Sequence, residues 1–204
     1  TRSKEADNQV RWASGITPST GGISLFIVFL ISISVIGTLP RAANYLFDNH
    51  LIGIVASCCL GFVLGLADDA YNTNPLAKFI AQLSCAFILI ISDIYIKVTG
   101  NAPFDYLITV IWVIGLMNSI NMLDNMDAIA STISMCIILG LISVIAVNNI
   151  SSNIFYLLIL VGVLGALTGF LYFNWNPARV YMGDTGSQFL GVFDYLPAVR
   201  LELR

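Results

Sequence analysis

The sequence predicts an all-α, polytopic transmembrane helical bundle of about six spans, with its polar loops gathered on the cytoplasmic side. Composition comes first: 57% of the 204 residues are apolar and only 10% charged, against about 45–50% and 25% in an ordinary soluble domain. Second, windows of about 20 residues find six apolar runs. Third, the links between them are short and no 20–50-residue repeat is evident, which favours one bundle over separate domains.

The runs are Ile23–Leu39, His50–Ala67, Phe79–Ile96, Phe104–Met122, Ala128–Val147 and Ile154–Phe173. A seventh apolar stretch begins near Ser187 and gives way to PAVRLELR before it could cross. We therefore expect one membrane domain over 1–204: a cytoplasmic segment at 1–22, six spans with their links over 23–186, and an incomplete span with an aberrant tail over 187–204. Cys58, Cys59, Cys85 and Cys136 all lie in apolar stretches without metal-site or redox spacing, and read as buried thiols. The net charge of -3 is small and scattered, which argues against a nucleic-acid partner.

Orientation follows from the basic residues. With the segment before Ile23 in the cytoplasm, so are the links at 68–78, 123–127 and 174–186; with the tail they hold Arg2, Lys4, Arg11, Lys78, Arg179, Arg200 and Arg204, leaving Arg41 and Lys97 outside. His50, Trp12, Tyr45 and Tyr106 then fall at membrane boundaries, and Asp93 near the outer end of its span is structural.

In this topology TPSTGG, LADDAYNTNPLAK, NSINMLDNMD and FNWNPARVYMGDTGS all emerge on the cytoplasmic side. A charge at the centre of a bilayer helix costs about 2.5–3.5 kcal/mol on insertion scales, so Asp68, Asp69, Asp124, Asp127 and Asp184 gathered on one side point to a shared site. Such carboxylates repel unless a cation sits among them. Magnesium suits oxygen ligands, keeps several waters and bridges carboxylates to phosphates. At 100° per residue Asn118, Asn121 and Asn125 share an arc of one helix, with Asp124 and Asp127 beside it. The glycines of TPSTGG and MGDTGS allow backbone N–H groups to approach an anion, and Lys78 and Arg179 bring positive charge for phosphate oxygens. Singly, each cluster would be a hydrated cap or a turn; their joint placement makes the site.

TPSTGG, GLADD with Lys78 following, N-x-x-N-x-x-D-x-x-D and FN-x-x-PA-x-x-YMGDTGSQFLG resemble, in order and spacing, the polyprenyl-phosphate N-acetylhexosamine-1-phosphate transferases. The resemblance runs to about Gly191. It implies attack by a polyprenyl phosphate, undecaprenyl phosphate for example, on the sugar-bearing phosphorus of a UDP-N-acetylhexosamine, giving a polyprenyl-diphosphate-sugar and UMP, the first membrane step of a cell-envelope polysaccharide. It implies Asp68, Asp69, Asp124, Asp127 and Lys78 as catalytic residues, Asp184 as magnesium ligand with manganese as a substitute, and Asn118, Asn121, Asn174 and Tyr181 as substrate contacts, Tyr181 by stacking on uracil. It also implies a multi-pass protein of the inner (plasma) membrane, compatible with a homodimer.

Departures accompany the match. The family usually has glycines where Asn125 and Ala128 stand, ten or eleven spans, and a late histidine-rich loop. This chain therefore reads as truncated at both ends. An inactive fragment of such an enzyme is the main alternative. An ion-coupled transporter is disfavoured, because the acids sit at span ends and transporters bind near the midplane.

Overall fold

A computed structural model describes residues 18–38, 48–148 and 150–195, all of whose regular elements are helices. They are α1 (Gly21–Gly37), α2 (Asn49–Tyr71), α3 (Pro75–Ile91), α4 (Ala102–Leu123), α5 (Ile129–Asn148), α6 (Ile150–Asn174) and α7 (Gly183–Phe193). Helices α2, α4, α5 and α6 are long and apolar enough to cross a membrane, and α1 and α3 are shorter apolar helices of 17 residues each. The protein is thus an all-α, multi-pass membrane bundle, its first six helices matching the six expected runs. Trp12, Tyr45 and the tail from 196 on lie outside the described residues.

Helix ends follow local chemistry. Asn74 caps α3 by accepting from the Leu76 N–H at 2.9 Å, with Pro75 beginning the helix. Asn72, at φ +50°, turns the chain out of α2, its N–H returning to Asp68 O at 2.8 Å. The expected third span overshoots: α3 stops at Ile91, because Asp93 takes a left-handed φ of +60° and the Ile94 N–H bonds back to Leu89 O at 2.9 Å. Asp93 keeps a structural role, paired with Lys97 at 3.6 Å. Of the four thiols, Cys58 and Cys85 are buried but Cys136 is exposed on α5, a correction to the expectation for all four.

Of the expected incomplete span, Ser187–Phe193 form the continuation of α7, whose residues from Thr185 to Phe193 are all buried. Helix α7 packs against α1, α2 and α4, at the centre of the bundle. Phe26 and Phe29 of α1 meet Phe189 at 5.5 and 5.3 Å between ring centres, and Phe26 stacks on Phe62 of α2 at 3.9 Å. Backbones touch through glycine, as membrane helices require where no hydrophobic force separates protein from lipid. A Cβ on Gly22 would lie 2.1 Å from Gly186 N, and one on Gly65 2.1 Å from Asp184 O.

Ala128 stands at φ +65°, a conformation glycine tolerates and alanine does not. This explains physically why the resembled family favours glycine there. Ala128→Gly should relieve about 1 kcal/mol of strain. Thermal unfolding in a fixed detergent should shift upward by a few degrees.

Candidate active site

Helix α4 ends at Leu123, so Asp124–Asp127 form a turn and do not continue the expected polar helix face. Asn125 points away, its side chain donating to Met122 O at 3.2 Å. Asp68, Asp69, Asp124 and Asp184 converge at the first turn of α7, and Asp127 engages the loop before it.

Asp68 and Asp69 are neighbours on α2 with different partners. Asp68 accepts from the Thr73 N–H at 2.9 Å, from Thr73 Oγ1 at 2.6 Å, and from Lys78 Nζ at 2.5 Å. Lys78 extends from the first turn of α3 and lies 3.4 Å from the Asp184 carboxylate. The other oxygen of Asp184 accepts from Asn121 of α4, whose amide also donates to Ser187 Oγ at 2.8 Å. Lys78, Asp68, Asp184 and Asn121 therefore form one continuous polar chain across four helices.

Asp69 faces the helix end. It accepts from the N–H groups of Asp184 and Thr185 at 3.0 and 2.9 Å and from Thr185 Oγ1 at 2.5 Å. Asp124 accepts from the Gly183 N–H at 2.9 Å and, more distantly, from Met182 N–H at 3.4 Å. These carboxylates occupy the amides that the MGDTGS glycines were expected to offer an anion. The glycine amides of TPSTGG are likewise engaged, Gly21 with Tyr181 O at 3.0 Å and Gly22 with Met182 O at 2.9 Å. The protein's own acceptors fill this cradle, leaving Lys78 as the cation at its centre.

Asp127 and Asn174 shape the loop before α7. Asp127 accepts from the Tyr181 hydroxyl at 2.6 Å, from Asn176 at 2.9 Å and from the Ala178 N–H at 3.0 Å. Asn174 is buried, accepting from the Ala128 N–H at 3.1 Å and Ser131 Oγ at 2.7 Å and donating to Val180 O at 2.9 Å. Asn118 lies one turn below Asn121 and pairs with Gln82 of α3 at 3.0 Å. Arg179 is exposed on the loop. Thr73, Ser187 and Gln82 were missed in the sequence. Ser187 could have been found from its spacing, one turn after Asp184.

The electrostatics record crowded negative charge. Burial pushes Asp124 up to about 7, against the pull of the Gly183 and Met182 N–H groups and with the charges of Asp184 and Asp69 adding to the rise. Burial and the adjoining Asp68 carboxylate raise Asp184 also, opposed by Asn121 and Lys78. Asp127 is held below the usual carboxylate range by the Tyr181 hydroxyl and the Ala178 N–H, and Tyr181 is correspondingly pushed up to about 12.

Among the described residues, no three histidine, cysteine or carboxylate side chains converge as a ready-made metal site. The donor set still suits magnesium, which needs only one or two carboxylates besides water and phosphate. Asp68 and Asp184 share Lys78 as a partner, which sets their carboxylates on either side of one cation.

The profile of glycosyl transferase family 4 matches residues 51–201. This chain belongs to that family. Within it, the chain is 30% identical over 187 residues to the probable undecaprenyl-phosphate N-acetylglucosaminyl 1-phosphate transferase of Bacillus subtilis, covering 86% of this chain and 49% of that protein. It is 31% identical over 208 residues to the phospho-N-acetylmuramoyl-pentapeptide-transferase of Streptococcus agalactiae, covering 92% and 60%. It is 27% identical over 199 residues to the decaprenyl-phosphate N-acetylglucosaminephosphotransferase of Mycolicibacterium smegmatis, covering 86% and 48%. The chain spans roughly half of the first and third of these family 4 relatives and 60% of the second. The family named from the four motifs is thus the one the comparisons return.

Proposed function

We propose that the full-length protein transfers an N-acetylhexosamine 1-phosphate from a UDP-sugar to a polyprenyl phosphate at the cytoplasmic face of the plasma membrane. An oxygen of the lipid phosphate bonds to the sugar-bearing phosphorus, the bond from that phosphorus to the bridging oxygen breaks, and UMP leaves with that oxygen. The observation that carries this reading is Lys78 held between Asp68 and Asp184 at the start of a buried helix.

A phosphate monoester has a second pKa near 6, so the lipid phosphate is largely dianionic at neutral pH and needs no strong base. Asp68 accordingly serves to hold Lys78, and Lys78 meets phosphate oxygens. Asn121 fixes the rotamer of Asp184, while Asp69 and Asp124 fix the helix end that presents it. Asp184, with Asp68 beside it, would hold magnesium or manganese, which when bound supplies charge neutralisation at the phosphoryl oxygens. Asp127 acts through Tyr181, setting the ring on which uracil would stack; Asn174 ties the turn of Asp127 to the loop of Tyr181 through the Ala128 N–H and Val180 O.

The test is product formation by the full-length protein in detergent, with UDP-N-acetylglucosamine or another UDP-N-acetylhexosamine, undecaprenyl phosphate and magnesium. Formation of both UMP and the lipid diphosphate sugar is expected; absence of both for every such sugar would sink the proposal. The 204-residue chain assayed alongside decides whether it is an inactive piece.

Two further outcomes are expected. Asp127→Asn should weaken UMP binding about tenfold by calorimetry with little change toward the lipid, because the amide loses the charged acceptor that orients Tyr181; unchanged UMP affinity would remove this role. In a cysteine-free background, Asn72→Cys should react with an impermeant thiol reagent only from the cytoplasmic side and Gly100→Cys only from outside. The reverse pattern would invert the topology.

A further inference from the structure

Beneath the polar chain of the site lies a second polar layer. Gln82 of α3 donates through Nε2 to Asn118 of α4 at 3.2 Å and to Gln188 of α7 at 3.1 Å, and the Asn118 amide returns a bond to Gln82 at 3.0 Å. Gln82 and Gln188 are 2% and 0% exposed, and Gln188 Nε2 has no partner among the described residues. Each member sits one turn from a site residue on its own helix: Gln82 after Lys78, Gln188 after Asp184, Asn118 before Asn121. The two layers thus join the same three helices at successive turns.

We propose that Gln82, Asn118 and Gln188 are positioning residues that set the register of α3, α4 and α7, and so hold Lys78, Asn121 and Asp184 in contact. Glycine contacts fix α7 on its neighbours, but α3 has no glycine and its apolar side chains alone specify register weakly; a buried amide pair is satisfied in one register only. A slip of one residue moves a side chain about 1.5 Å along the axis and about 100° around it. That is enough to part Lys78 from Asp184. The unmet donor of Gln188 fits this reading, because a layer retained only for stability would gain from an apolar side chain there.

This inference rests on the proposed transfer only for its activity readout. The register itself is read in the full-length, cysteine-free protein carrying Asn121→Cys and Ser187→Cys, whose side chains touch across α4 and α7. Oxidation should join them efficiently in that background and at least fivefold less after Gln82→Met. In the otherwise native protein Gln82→Met should lower kcat about tenfold or more, with KM for the UDP-sugar within about threefold. Gln82→Met with Gln188→Met should cost no more than Gln82→Met alone, since the layer acts as a unit. If Gln82→Met fails to accumulate as folded protein, Asn118→Leu at the exposed edge of the layer is read in the same way. Undiminished cross-linking in the folded variant overturns the inference whatever the enzyme does. A native protein that turns over no UDP-sugar overturns the proposed function and leaves the cross-linking result standing.

Discussion

Asp184→Asn in the full-length protein is expected to lower turnover by roughly 10²–10³-fold, the range found when one preorganised electrostatic contact is removed, while leaving membrane insertion intact. The amide keeps the shape of the side chain but has one acceptor oxygen, so it can accept from only one of Asn121 and Lys78. It loses the charge that would hold a divalent cation, so the magnesium concentration for half-maximal rate should rise. Rates measured across a magnesium series decide the matter. A variant that kept most of its rate at ordinary magnesium would show that Asp184 is not the ligand.

Lys78→Met should give the opposite metal response with a similar loss of rate. Without the ammonium, Asp68 and Asp184 face one another without their cation, and two uncompensated carboxylates attract a divalent ion more strongly. Turnover should fall about 10²-fold, because phosphate oxygens lose their fixed cation, yet half-saturating magnesium should fall too. The Lys78 and Asp68 side chains are only 19% and 8% exposed, so the change also leaves a largely buried carboxylate without its partner, and folded yield is measured beside the rate. If rate and metal response were both unchanged, Lys78 would be only a surface partner of Asp68.

Much of this architecture is legible in one sequence, for a physical reason. An apolar run long enough to cross a bilayer is a one-dimensional signal, and α1–α6 carry it. The four motif clusters were also legible, because links of a few residues force alternate helix ends to one side. Helix α7 was not. It has 11 residues, opens with the polar GDTGSQ, and is buried by glycine contacts that come from α1 and α2. The division of labour among the acids was equally hidden: Asp68 and Asp69 are adjacent in sequence, and only the position of α7 decides that one meets Lys78 and the other caps a helix. The turn at Asp124 owes its partners to residues 58 and 59 positions away, which no helical periodicity could anticipate. Gln82 resembled any polar residue in an apolar helix until Asn118 and Gln188 were seen beside it.

The position of α7 in the chain also bears on how the protein is made. A ribosome delivers α1–α6 before Gly183 exists, and helices enter the bilayer in the order of their synthesis. Until α7 emerges, Asp69 and Asp124 have none of the helix-end amides they accept from, Lys78 has only Asp68, and α1, α2 and α4 surround a gap. Helix α7 is therefore the keystone of the site's assembly. A chain released just before it would hold α1–α6 and an unassembled acidic rim, and formation of the site waits on the arrival of Gly183–Phe193.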